Sequence, residues 1–145
     1  MRLLPRWSLT ALALALLPSA VAAQNQYEEQ VLAQLELAAD VFFSAGYEPL
    51  LWDAGALDDD ATDLFTVTLQ AGYTYALVGV CDEDCSDIDL SLLDGYGNLV
   101  VEDIEVDDAP VIEFTVTASG DFTLGVEMYE CSVEPCYYGV GLFGW

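Results

Sequence analysis

The sequence has no lysine and no histidine, and its only two basic side chains, Arg2 and Arg6, lie at the extreme N-terminus. Against them stand 26 aspartates and glutamates, a formal net charge of −24, with no acid before Glu28. These absences exclude much. Binding a nucleic acid requires cations that neutralise phosphates, and none occurs after Arg6. Anionic membrane surfaces repel such a chain for the same reason. Catalysis would have no histidine base, no lysine nucleophile and no cation to stabilise an anionic transition state. G-x-S-x-G, a glycine-rich phosphate loop and H-E-x-x-H are also missing. A carboxylate pair could in principle hydrolyse glycosides, but among so many acids a pair arises by chance. The expectation is a non-enzyme whose charge is met from outside, by metal cations, salt or cationic partners.

What is present begins with a leader. Arg2 and Arg6 form a positive n-region, Trp7 to Leu17 is an apolar run, and Val21-Ala22-Ala23 supplies small residues for cleavage after Ala23, with Ala22 nearly as suitable. Met1–Ala23 therefore reads as a secretory signal peptide, too short in its apolar part to span a bilayer comfortably. No later apolar stretch is long enough to cross a membrane, and no cysteine follows the cleavage site to carry a lipid. The expected location is secreted, periplasmic or extracellular, with one domain's worth of chain remaining.

Residues 24–46 predict one amphipathic helix. Tyr27, Val31, Leu35, Ala38 and Phe42 recur at intervals of three and four, Asn25 is placed to cap the start, and Gly46 to end it. Residues 47–63 read as an acidic connector with a short extended piece at Leu50-Leu51-Trp52, broken by Pro49, Gly55 and Asp58-Asp59-Asp60. From residue 64 to 145 the period changes to two. Phe65, Val67 and Leu69 alternate with threonines; Ile88, Leu90 and Leu92 with Asp89 and Ser91; Ile112, Phe114 and Val116 with Glu113, Thr115 and Thr117; Phe122, Leu124, Val126 and Met128 with Thr123, Gly125 and Glu127. Turn signals at Ala71-Gly72, Asp94-Gly95-Tyr96-Gly97-Asn98 and Ser119-Gly120 separate them. The fold class is mostly β: an antiparallel β-sandwich preceded by one N-terminal α-helix.

An internal echo runs through the β region. Phe65-Thr66-Val67-Thr68 recurs as Phe114-Thr115-Val116-Thr117, each followed by a glycine turn and then a cysteine pair. This predicts two related hairpins whose outgoing strands bring both cysteine loops to one end of the sandwich. In an exported chain the four cysteines read as two disulfides, with the local pairs Cys81–Cys85 and Cys131–Cys136 favoured over cross-pairing. A four-thiolate zinc site is the alternative, although the spacings C-x3-C and C-x4-C are not the usual knuckles. Between Asp82 and Asp89 lie five carboxylates, which a local disulfide would crowd. Carboxylates so close raise each other's pKa or recruit a cation. The candidate calcium ligands are Asp82, Asp84, Asp87 and Asp89, in no EF-hand spacing. Further acids, Asp58, Asp59, Asp60, Asp63, Asp103, Asp107 and Asp108, are secondary candidates. The bland alternative is a solvated acidic surface.

From Phe65 onward the chain resembles the bacterial pre-peptidase C-terminal (PPC) domain. The resemblance lies in Phe65–Gly72, the strand Asp87–Leu92, the Asp94–Asn98 turn and the closing Ser119–Val126. It implies a jelly-roll-like sandwich, usually appended to secreted proteases and other exported enzymes. Some relatives bind collagen, some bind calcium through acidic loops, and the family has no catalytic residues to carry over. The chain departs from that setting in having no enzyme domain, an added helix and cysteine-bounded acidic loops.

The leading functional expectation is an exported, disulfide-braced, calcium-stabilised binding or structural module. Its partner would be an unidentified, cationic extracellular protein or a glycan. The alternative is a carbohydrate-binding module in which Tyr96, Tyr137 and Tyr138, with Trp52, Tyr129 and Trp145, supply stacking faces. A third reading is an accessory domain acting with a secreted protease.

Overall fold

A computed structural model describes residues 20–145, with side chains from residue 26 onward. The leader expected at residues 1–23 thus lies outside the described residues except for its last four. These belong to the helix, α1, which spans Ala20–Ser44. The expected start at residue 24 and the cap at Asn25 are therefore corrected. The alanine-rich segment before Asn25 continues the helix, as alanine's propensity favours, and Asn25 lies in its interior.

The C-terminus of α1 ends as glycine allows. Gly46 has φ +92°, Gly46 N–H donates to Phe43 O and Tyr47 N–H to Phe42 O. This is the Schellman pattern, and its usual apolar contact is an edge-to-face pair, Phe42 with Tyr47, with centroids 5.5 Å apart.

Eight strands follow: β1 Glu48–Leu57, β2 Ala61–Leu69, β3 Thr74–Cys81, β4 Cys85–Leu93, β5 Leu99–Asp103, β6 Val111–Thr115, β7 Gly120–Cys131 and β8 Cys136–Gly144. They form two antiparallel sheets, in the orders β1-β8-β3-β6 and β2-β7-β4-β5. The pairs β1·β8, β2·β7, β3·β6 and β4·β5 are nested. The chain is thus one long ribbon folded at the Asp94–Asn98 turn and rolled until β3 meets β8 and β4 meets β7. That is the jelly-roll order. The turn is held by Asp94, whose Oδ1 accepts from Tyr96 N–H and Asn98 N–H, both at 2.9 Å, and by Gly97 at φ +82°.

Two expectations are corrected. Most of the presumed connector, residues 47–63, is β1 and the start of β2, so the sandwich begins at Glu48. The strand β1 occupies a sheet edge, where Pro49 removes no ladder bond that a central strand would need. The two echo segments are also not hairpins. Each crosses between sheets, and the two copies pair with one another in matching register: Phe65↔Leu124 with Thr66↔Thr123, and Phe114↔Tyr75 with Thr115↔Thr74. The expected convergence of the cysteine loops is observed, since Cys85 is the register partner of Cys131.

The inner faces of the sheets enclose the main core, including Leu77, Ile88, Leu90, Leu124, Val126, Met128 and Leu142, all fully buried. A second core lies under the helix, where Val31, Leu35, Ala39 and Phe42 pack on Ala76, Val78, Val80 and Phe143. This is why β3 and β8 are buried on both faces. Gly139 and Gly141 permit the close approach: a Cβ on Gly141 would meet Leu35 Cδ1 at 3.2 Å and the Phe143 ring at 2.8 Å. Leu35→Ala should therefore cost about 2–4 kcal/mol, whereas Val41→Ala, on the exposed side of α1, should be nearly neutral. Urea unfolding checks this, and equal effects would show that the helix does not pack as described.

Candidate functional site

Both predicted disulfides are formed, Cys81–Cys85 and Cys131–Cys136, which removes the four-thiolate zinc alternative. Their loops meet the β1–β2 turn at one end of the sandwich, and acidic groups join them. Asp82 is buried, with Oδ2 accepting from Tyr137 N–H at 2.7 Å and Oδ1 from Asp84 N–H at 3.1 Å. Asp59 Oδ1 accepts from Cys131 N–H at 2.7 Å, and Glu134 Oε1 from Asp59 N–H at 2.9 Å. The Asp84 carbonyl accepts from both Ser132 N–H and Ser132 Oγ.

The four candidate calcium ligands are thus divided. Asp82 is committed to backbone amides. Asp84 faces the helix, where its charge, ahead of burial, raises the Tyr27 hydroxyl above its ordinary pKa. Asp87 and Asp89 lie on β4, with side chains alternating away from Ile88 and Leu90, which are fully buried in the core. Asp89 stands opposite Glu127 of β7. The Asp87 side chain is only 3 % exposed, yet Asp87 Oδ1 and Asp89 Oδ1 are buried without a hydrogen-bond partner. Among the described residues, no three acidic, cysteine or histidine side chains converge closely enough to cage a metal. The expected set of four is therefore replaced by a ledge of two, Asp87 and Asp89.

Electrostatics at the ledge is unfavourable to charge. Burial raises the Asp87 carboxyl; a backbone hydrogen bond from Asp107 opposes this, and the charges of Asp107 and Glu130 add to the rise. Asp89 is pushed up to about 6, by burial first and then by Asp87, Glu127, Asp103 and Glu102. Of the secondary candidates, Asp63 Oδ2 accepts from the Tyr138 hydroxyl at 2.6 Å, Asp103 Oδ1 from Glu105 N–H and Asp107 Oδ1 from Ala109 N–H.

The expected aromatic platform is not assembled. Tyr138 is buried, with its hydroxyl raised in pKa by burial and then by Asp63. Tyr137 is half-buried and stacked on Tyr27, centroids 6.0 Å apart. Tyr96 stands 94 % exposed on the Asp94–Asn98 turn. Trp52 meets Phe143 edge-on. At the other end of the sandwich from the disulfides, a groove of about 310 Å³ is lined by Trp145 together with Tyr73, Tyr75, Gln70 and Glu48. Of these only Trp145 was singled out from the sequence. The available signal was Tyr73, a large aromatic directly after the turn glycine Gly72.

Scanned against protein-family models and searched against curated proteins, the chain has no match. The class it defines is structural: a disulfide-bonded, eight-stranded jelly-roll sandwich with one helix on its outer face.

Two outcomes follow from the geometry. Asp82→Ala leaves two part-buried amides without acceptors and should cost about 1–3 kcal/mol, with Asp82→Asn losing less; chemical denaturation measures both. Asp89 binds a proton near pH 6 when folded, against an ordinary value of 3.8. Between those values the folded state holds more protons than the unfolded one. Stability should therefore rise as pH falls from 7 toward 4.5, by about 1–2 kcal/mol from this group after allowance for partial exposure. Asp89→Asn should be the more stable form at pH 7 in chelator and low salt, and lose that advantage near pH 4.5. A pH series of thermal melts that is unaltered by the substitution would contradict the assignment.

Proposed function

We propose that the chain is an exported, non-catalytic binding module, braced by its two disulfides, whose charge deficit at Asp87 and Asp89 is met by calcium. The observation that carries this reading is the pair of buried carboxylate oxygens without a partner, in a chain with no lysine or histidine to offer. A buried and a half-buried carboxylate that repel one another either stay protonated or recruit a cation. A hard divalent ion with oxygen ligands suits them, with water completing its shell. Because only two side chains contribute, affinity belongs to the weak range found in extracellular modules, about 0.1–1 mM. Export rests on the leader-like N-terminus and agrees with two cysteine pairs held oxidised. The likeness of Phe65–Val126 to PPC domains belongs to the same proposal, and the acidic surface favours a cationic partner.

The test is thermal melting at constant ionic strength. Millimolar calcium should raise Tm by about 5 °C over chelator, and the Asp87→Asn/Asp89→Asn double variant should start higher and not respond. No difference between calcium and chelator, or an equal response in the double variant, would reject the calcium reading.

A further inference from the structure

We propose that the groove at the end of the sandwich remote from the disulfides is a binding site for a neutral saccharide. It is formed where β1 and β3 meet the end of β8, at the register partners Glu48↔Gly144 and Tyr75↔Gly144. Several features shape it. Gly144 forms part of the lining, and a Cβ there would come within 3.0 Å of Leu50 Cδ1 and 3.2 Å of Tyr75 Cε1, so glycine keeps the wall open. The buried Tyr75 hydroxyl accepts from Gln70 N–H at 2.7 Å and donates to Gln70 O at 3.2 Å. This fixes the turn that presents Gln70 and Tyr73. The Trp145 backbone N–H donates to Thr74 O at 2.9 Å, and its indole lies near Gly46, where a Cβ would meet Nε1 at 3.4 Å. Gly46 itself holds φ +92°, a left-handed conformation that glycine adopts without strain.

On this fixed frame two large rings remain open to solvent, Tyr73 at 51 % and Trp145 at 66 % exposure. A volume of about 310 Å³ lies at the small end of the range for ligand sites, which runs from about 300 to 1,000 Å³. The polar groups decide the ligand class. Glu48 is the single acidic residue in the lining, which also includes Gln70, whose side-chain amide can both donate and accept. A more open depression of about 600 Å³ is lined by Glu102, Asp103, Glu105 and Glu113. A cation would find more negative charge there or at the Asp87–Asp89 ledge. The aromatic groove instead suits a ligand with apolar ring faces and hydroxyls that need both donors and acceptors. Phosphates, sulfates and uronates are repelled by a chain of net charge −24.

The proposal goes beyond the binding-module reading and fails independently of it, since the calcium test reads melting and involves residues on β4. The full chain is screened on an array of neutral, anionic and amino oligosaccharides, and hits are titrated by calorimetry, with tetramethylammonium as the cationic probe. A neutral oligosaccharide should bind saturably and with little dependence on salt. Trp145→Ala and Tyr73→Ala, both at exposed positions, should each weaken it about tenfold with Tm unchanged. Tyr96→Ala, elsewhere on the surface, should leave it unaltered. The assignment is overturned if no neutral glycan binds, if binding survives both groove variants, or if tetramethylammonium binds more tightly than any sugar.

Discussion

Carboxylates with no basic side chain to pair with among the described residues are the constraint on which the rest of this structure depends. In most acidic proteins lysine and arginine complete the charge. Here the backbone does so. Asp82 takes two amides between the disulfide loops, Asp59 takes Cys131 N–H, and Asp94 takes two amides in the central turn. The Asn98 side chain, first, and these amides hold the Asp94 carboxyl below its ordinary value. Hydroxyls serve as well, Tyr138 to Asp63 and Thr68 to Asp121. Hydrogen bonds to a charged acceptor are stronger than those between neutral groups and take the place of ion pairs in fixing loops. Where a buried carboxylate oxygen receives neither amide nor hydroxyl, as at Asp87 Oδ1 and Asp89 Oδ1, its polarity is left unmet.

The rolled ribbon determines where those groups fall. Because its outermost strand pairs are nested, the cysteine loops and the β1–β2 turn collect at one end, which is braced by covalent bonds and by carboxylate–amide contacts. The opposite end carries the aromatic groove, and the outer face of the β2-β7-β4-β5 sheet carries the ledge. The helix takes the outer face of the other sheet. The molecule thus separates a braced end, a charged face and a concave end lined mainly by aromatic and amide groups.

Much of this was legible in the residues. Period-two alternation in Phe65–Leu69, Ile88–Leu92 and Phe122–Met128 marked strands with one buried face. The spacing of Val31, Leu35 and Phe42 marked the helical face that packs on the sandwich. The segment Glu48–Leu57 was not legible as a strand, because an edge strand exposed on most positions carries no alternation, and Pro49 and Gly55 read as breaks. The two-sided burial of β8 is written in its sequence: Tyr137–Phe143 is continuous in apolar and glycine residues, the mark of a strand covered on both faces. At the site, spacing alone could not separate Asp82 from Asp87. Both are buried acids near Cys85, but only the fold shows that Tyr137 N–H reaches the first and that no donor reaches Oδ1 of the second. The groove brings together Gly46, Tyr73 and Trp145, separated widely in sequence, and no local pattern encodes it.

The most direct measurement is a carboxyl-carbon NMR titration of the aspartates at low ionic strength without divalent ions. If satisfaction by neighbouring donors governs each carboxylate, Asp94 titrates below the ordinary aspartate value of 3.8, Asp87 above it and Asp89 near 6. If Asp87 and Asp89 instead titrate together with Asp94 at the ordinary value, the ledge is a solvated surface, and the central role given to unmet charge is wrong.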